Sequence, residues 1–229
     1  MYRYLLIDFD NTLMDFNENE RRALAKAVKD RCGREITEAE TEAYHRINDG
    51  YWKKLERKEI NKEQLKYSRF YDFTREIGVT ETDINALNKY YMDCLATTSV
   101  EYPESYEALK KLAGQYELYI ITNGTTYIQK ARLEATSFRP FIREMFISDE
   151  IGVNKPAPEF FDAVEKATGD PDRSRYLIVG DSVSSDIRFG FNTGIDTCFV
   201  GTAESGAKYR IGSIAELPEL LERIQRTDL

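Results

Sequence analysis

The sequence predicts an α/β protein: a doubly wound, Rossmann-like parallel sheet interrupted by an inserted helical-bundle domain. Three observations carry that prediction. The C-terminal half alternates short apolar runs with helix-period segments, the stretch from Phe16 to Thr98 loses the alternation, and the first apolar run, in "YLLIDFDNTLMDF", ends in acids. Strands apolar at every position, each followed by a helix, mark βαβ units whose sheet is covered on both faces.

"YLLI" (Tyr4 to Ile7) is the first strand, followed by Asp8, Phe9, Asp10 and, soon after, Asp15. Residues 16–98 are rich in Glu, Lys, Arg and Tyr, contain no proline, and place apolar residues at helical intervals, as in "RRALAKAVKDRCG" and "EAYHRINDGYWKKLERKEI". Several bundled helices are expected there, with ends at Cys32-Gly33 and Ile77-Gly78, because glycine accepts the left-handed conformation of a C-terminal cap. The charge run "KKLERKE" reads as a solvated helix face. The alternation then resumes: "YELYIITN" before "TTYIQKARLEAT", "EMFISDEI" before "APEFFDAVEKAT", "RYLIVGD" before "SVSSDIRFGFNTG", and "DTCFVG" leading towards "SIAELPELLERIQ". Residues 1–15 with 99–229 are therefore assigned to the sheet core and 16–98 to the insert.

A chain of 229 residues can hold one large domain, or one domain and an insertion. Its 40 acidic and 32 basic side chains leave a net charge of −8, which disfavours a polynucleotide partner, although local cations can still hold a small phosphate. Cys32, Cys94 and Cys198 are odd in number and in no metal-like spacing, so reduced packing thiols are expected. The four apolar residues before Asp8 are too short for a signal peptide or a membrane span, and a cytoplasmic location without a membrane partner is expected.

Side chains two apart on an extended strand point the same way, so Asp8 and Asp10 can face one small volume. In an open parallel sheet, the space beyond the carboxyl ends of the strands is where ligands bind. Two like charges there are costly without a cation, though both acids could instead cap the following turn. The other strand ends add Thr122, Asn123 and Gly124 in "IITNG", Lys155 in "GVNKPAPEFF", and Gly180, Asp181 and Asp186 in "LIVGDSVSSDI". Each has an ordinary alternative: Thr122 as a helix cap, Lys155 as a solvated lysine, Asp181 as a turn former. Their joint occurrence, in order, is much harder to attribute to chance.

With these residues in place, the sequence resembles the haloacid dehalogenase superfamily of phosphohydrolases. Its Asp-x-Asp-x-Thr pattern is matched by "DFDNT" (Asp8, Asp10, Thr12), its Ser/Thr by Thr122, its lysine by Lys155, and its last acidic motif by "GDSVSSD" (Asp181, Asp186). The insert resembles the family's helical cap of the first type. The resemblance implies a phosphatase acting on small phosphomonoesters, with Asp8 as nucleophile and Asp10 as general acid and base. It further implies Mg²⁺ held by Asp8, the Asp10 carbonyl and Asp181, with Asp186 a ligand either directly or through water, Lys155 and Thr122 on the phosphoryl oxygens and backbone amides at Asn123 and Gly124 adding donors.

The lone histidine, His45, falls in the insert, so carboxylates must move the protons. As the family is understood, dehalogenases lack an acid at the Asp10 position, because a halide leaves without a proton. Mutases also keep it, so phosphoryl transfer between sugar hydroxyls is an alternative, as is a sugar-phosphate or phosphoglycolate phosphatase. A phospho-receiver module also clusters aspartates with a Thr and a Lys, but it needs no general acid. The strings "ITNG", "ISDEIGVNKP" and "DPDRSRYLIVGDSVSSDI" look closest to bacterial pyrimidine 5′-nucleotidases. In the insert, "NDGYW" offers Asn48 and Trp52, an amide and an aromatic suited to a base, or else to the bundle core.

Overall fold

A computed structural model describes residues 1–227. The chain divides into two compact units, one formed by Met1–Asp15 with the chain from Val100 onward and the other by Phe16–Ser99. In chain order the elements are β1 (Tyr4–Ile7), α1 (Phe16–Cys32), α2 (Glu38–Glu56), α3 (Lys62–Glu76), α4 (Ile84–Ala96), α5 (Ser105–Leu112), β2 (Glu117–Thr122), α6 (Thr126–Glu134) and β3 (Ile142–Ile147). They continue with α7 (Ser148–Ile151), α8 (Phe160–Thr168), β4 (Tyr176–Gly180), α9 (Arg188–Thr193), β5 (Asp196–Val200), β6 (Tyr209–Ile211) and α10 (Leu217–Thr227).

The first unit is a six-stranded sheet in the order β3-β2-β1-β4-β5-β6, parallel at every pairing. Side chains alternate across it. Leu5, Ile7, Leu118, Ile120, Leu177 and Val179 pack on one face against Leu109 and Leu112 of α5 and Leu217 and Leu221 of α10. Tyr4, Leu6, Tyr119, Ile121, Tyr176 and Ile178 pack on the other against Phe160 and Phe161 of α8 and Phe189 of α9. Both faces are thus dry, which explains strands without polar alternation; each such side chain contributes roughly 1.5–3 kcal/mol of burial. The edge strand β6 was not legible in the sequence, since three residues are too few to show a period.

Register decides where the polar residues emerge. Ile7 lies beside Ile120 of β2 and Val179 of β4, so three neighbouring strands end within two residues of one another. The Asp8 amide still donates to the Val179 carbonyl at 2.8 Å, which fixes the first residue past β1. Chain order also reverses at β1, between β2 and β4, the switch point at which open α/β sheets leave a crevice.

The second unit contains α1 to α4. Tyr44 of α2 packs its ring 5.1 Å from Phe70 and from Phe73 of α3 and 5.6 Å from Tyr91 of α4, forming an aromatic core. Capping boxes at Thr37 with Glu40 and at Asn61 with Gln64 start α2 and α3. Gly33 and Gly78, at φ +68° and +72°, follow α1 and α3 as the sequence predicted. Beside the rings runs a buried polar chain. Arg69 donates to Asn88 Oδ1 (2.9 Å) and Asn48 Oδ1 (3.0 Å), and Asn48 Nδ2 donates to Glu20 Oε1 (2.6 Å). The expectation that Asn48 is available to a substrate is therefore corrected: it is only 3% exposed, and both ends of its carboxamide are engaged by Glu20 and Arg69. Trp52, one turn further along α2, is half-buried.

Cys94 and Cys198 are buried and Cys32 partly so, all three as free thiols. No helix among the described residues is long and apolar enough to cross a membrane.

His45 Nδ1 lies 2.8 Å from Glu20 Oε2, and this hydrogen bond, opposed by partial burial and aided by the charges of Glu20 and Asp49, raises the imidazole above its ordinary range. A raised folded-state value favours the fold below the unfolded histidine value of about 6.5, and that contribution fades as pH climbs through the folded value. Raising the pH above neutral should therefore lower the thermal midpoint slightly, and His45→Gln should flatten the slope. An NMR titration of this single imidazole that reads an ordinary or lowered value would refute the pairing.

Candidate active site

Asp8 follows β1 directly, Phe9 is fully buried in the sheet core, and Asp10 turns outward again. Asn11 then takes φ +58°, a left-handed conformation that asparagine tolerates better than most residues, and the amides of Leu13 and Met14 close onto the Phe9 carbonyl at 3.0 Å. The acids thus sit in a tight loop, and its Thr12 hydroxyl donates to Asp181 Oδ1 at 3.4 Å.

Lys155 comes from the loop ahead of α8 and is 1% exposed. Its ammonium donates three hydrogen bonds: to Asp8 Oδ1 (2.6 Å), Asp186 Oδ1 (2.6 Å) and the Ile121 carbonyl (2.8 Å). Those three bonds match the three protons of an ammonium. The backbone behind it is clamped by Asn123, whose Oδ1 accepts from the Lys155 amide and whose Nδ2 donates to the Lys155 carbonyl, both at 2.8 Å. The Asn123 side chain therefore holds the lysine loop. Asp186 sits on a short π-helical turn after β4, and its Oδ2 accepts from the Ser182 amide at 3.1 Å. Gly180 leaves room for it, since a Cβ there would collide with the Asp186 carboxylate.

Asp10 has a different set of partners. Its Oδ1 accepts from Arg132 Nη1 (2.6 Å) and its Oδ2 from Gln129 Nε2 (2.7 Å), both on α6. Gln129 Nε2 also donates to Thr122 Oγ1 at 2.8 Å, and the Gly124 amide donates to the same hydroxyl at 3.2 Å. Gly124 is needed for space as well, because a Cβ there would fall 2.5 Å from the Gln129 side chain. Neither Gln129 nor Arg132 was singled out from the sequence. The available signal was their place on the buried stripe Ile128, Gln129, Arg132 and Leu133 of α6, where polar side chains need a partner.

The electrostatics are those of too many acids for one base. Burial pushes Asp8 well above the usual carboxylate range; Lys155 opposes this, while Asp186 and Asp181 add to it. Burial and then Asp186 push Asp181 up to about 7. For Lys155, burial pulls downward, but Asp186 and Asp8 outweigh it and hold the ammonium above its ordinary value. One carboxylate oxygen from each of Asp8, Asp181 and Asp186 lies within 4.8 Å of the others. An all-oxygen set with excess negative charge fits a hard divalent cation.

The sequence-predicted residues thus fall into two groups. Asp8, Asp10, Thr122, Asn123, Gly124, Lys155, Asp181 and Asp186 are linked through the contacts above at the carboxyl ends of β1, β2 and β4. Asn48 and Trp52 lie on α2 of the helical unit.

Comparison with known proteins agrees with this architecture. A family model described as haloacid dehalogenase-like hydrolase matches residues 2–194. The pyrimidine 5′-nucleotidase PynA of Streptococcus pneumoniae is 31% identical over 97% of this chain and 96% of its own. The pyrimidine 5′-nucleotidase YjjG of Escherichia coli is 30% identical over 95% and 97%, respectively. The magnesium-bound crystal structure of YfnB from Bacillus subtilis is 30% identical and superposes with a TM-score of 0.90 over 96% of this chain and 98% of that one. A doubly wound sheet with its acids at the switch point and a family match over most of its length lead to one conclusion: this chain belongs to the haloacid dehalogenase-like hydrolases.

Proposed function

We propose that the protein is a Mg²⁺-dependent phosphatase of small phosphomonoesters, with pyrimidine nucleoside 5′-monophosphates as its substrate class. The observation that carries the reading is the second carboxylate, Asp10, held two residues beyond Asp8 by Gln129 and Arg132. A halide needs no proton to leave, whereas an alkoxide does, so a positioned acid favours ester cleavage over dehalogenation. The nucleotide class is supported by the likeness to PynA and YjjG.

Asp8 is the proposed nucleophile. Lys155 holds its Oδ1 and so presents Oδ2 to phosphorus. As that oxygen bonds to phosphorus, the bond to the leaving oxygen breaks and Asp10 gives that oxygen its proton, leaving an aspartyl-phosphate. Asp10, now a carboxylate, takes a proton from water as the water oxygen attacks phosphorus, and the bond to Asp8 breaks to release phosphate. Thr122 offers its hydroxyl proton to the phosphoryl oxygens, and Lys155, whose three protons are taken by Asp8, Asp186 and the Ile121 carbonyl, adds positive charge beside them. Asp8, Asp181, Asp186 and the Asp10 carbonyl are the proposed holders of Mg²⁺, which would supply positive charge for the carboxylates and the phosphoryl group. The helical unit, the proposed cap, is assigned the choice of leaving group, with Trp52 as its candidate aromatic.

A panel of phosphomonoesters with Mg²⁺ tests the reading. Pyrimidine nucleotides should give a kcat/KM well above phosphoglycolate and hexose phosphates, with Asp8→Asn folded but inactive. A folded Asp8→Asn that keeps full turnover would end the phosphatase mechanism, and a sugar phosphate as best substrate would end the nucleotide reading alone.

The metal proposal has its own test. After chelation, added Mg²⁺ at about 100 times its Kd should stabilise the fold by about 2.7 kcal/mol and restore turnover. Asp181→Asn should raise the metal-free thermal midpoint by removing a like charge and should increase the Mg²⁺ needed for half-maximal rate. Turnover that persists in full under chelation would refute the site.

A further inference from the structure

Asp10 raises a question that the motif residues leave open: what sets the position of a carboxylate that must reach a leaving oxygen and then a water? In the structure it is tied to α6 by a closed ring of hydrogen bonds. Arg132 Nη1 donates to Asp10 Oδ1 at 2.6 Å and to Gln129 Oε1 at 3.0 Å, while Gln129 Nε2 donates to Asp10 Oδ2 at 2.7 Å. The bond from Arg132 fixes which end of the Gln129 amide is oxygen, so its nitrogen faces both Asp10 and Thr122. The ring cannot drift easily. Arg132 is fully buried, with its guanidinium 5.1 Å from the centre of the Phe9 ring, and Phe9 is the residue between the two catalytic acids. Gln129 and Arg132 are three apart on one helix face, the spacing at which two side chains can serve one target.

We infer that Gln129 and Arg132 are positioning residues for proton transfer: together they orient the Asp10 carboxylate, and Gln129 couples its place to that of the Thr122 hydroxyl. The inference rests on the phosphatase reading above, with Asp10 as acid and base. Neither side chain is placed on substrate; each acts through Asp10 and Thr122. A buried arginine that served packing alone could have been an apolar residue, and the use of one guanidinium nitrogen on both Asp10 and Gln129 would then have no purpose.

The test separates proton transfer from general damage by leaving group. The unaltered chain, Arg132→Lys, Gln129→Leu, Asp10→Asn and the Asp10→Asn/Arg132→Lys double variant are assayed on p-nitrophenyl phosphate, whose phenolate needs little protonation, and on the alkyl phosphate turned over fastest. Thermal unfolding and KM are followed for each. The expected result is a fall in kcat on the alkyl ester of about 10- to 100-fold for Arg132→Lys and Gln129→Leu, as a misplaced group costs, with a much smaller fall on the aryl ester and little change in KM. On the alkyl ester the double variant should be no slower than Asp10→Asn alone, because the arginine acts only through that acid. Equal losses on both esters in folded variants, or losses that multiply in the double variant, would overturn the inference while leaving the phosphatase reading intact. An unaltered chain that hydrolyses no ester would overturn both.

Discussion

The pairing of Lys155 with Asp8 and Asp186 is the interaction on which the rest of the site depends. A buried ammonium without partners would lose its proton or unfold its surroundings, and a buried carboxylate cluster without a cation would do the reverse. Each cost is offset by the other, with Nζ 2.6 Å from an oxygen of both acids. Much of the local structure can be read as support for this arrangement. Asn123 clamps the lysine backbone from β2, Gly180 clears space for Asp186, and the Ser182 amide takes that acid's second oxygen.

The compensation is incomplete, and that is chemically useful. One lysine faces three carboxylates, and Asp181 is left with a carboxyl raised to about 7 by burial and by Asp186. A site that stays short of positive charge suits a divalent cation, which on the proposed reading would supply the positive charge that a phosphoryl group needs. The excess of acid lies at the carboxyl end of the sheet, where the Asp8 amide makes the last ladder hydrogen bond from β1 to β4.

Asp10 illustrates how a neighbouring residue can be given another task. Only Phe9 separates it from Asp8, yet it shares none of the lysine's hydrogen bonds and is held instead by Gln129 and Arg132 of α6. Alternation along the strand end sends Phe9 into the core between them, and the left-handed Asn11 then turns the chain away. Two carboxylates with different partners have separate environments, as the proposed division into nucleophile and acid–base requires.

The sequence by itself determined the sheet class, the helical insert and the motif residues of the core. Continuous apolar strands, glycine helix ends and acids at strand ends are local signals, written within a few residues of where they act. Tertiary structure alone decided the rest. Strand order and register bring Asp8, Thr122 and Asp181 to the same end of the sheet, within one residue of one level, and no local pattern encodes the pairing of residue 7 with residues 120 and 179. Asn48 looked like a recognition residue because exposure cannot be read from identity; packing against Glu20 and Arg69 made it part of the bundle interior. Gln129 and Arg132 stayed hidden for the converse reason: a polar residue on a helix is ordinarily solvated, and only the burial of that face of α6 against the sheet turned them towards Asp10.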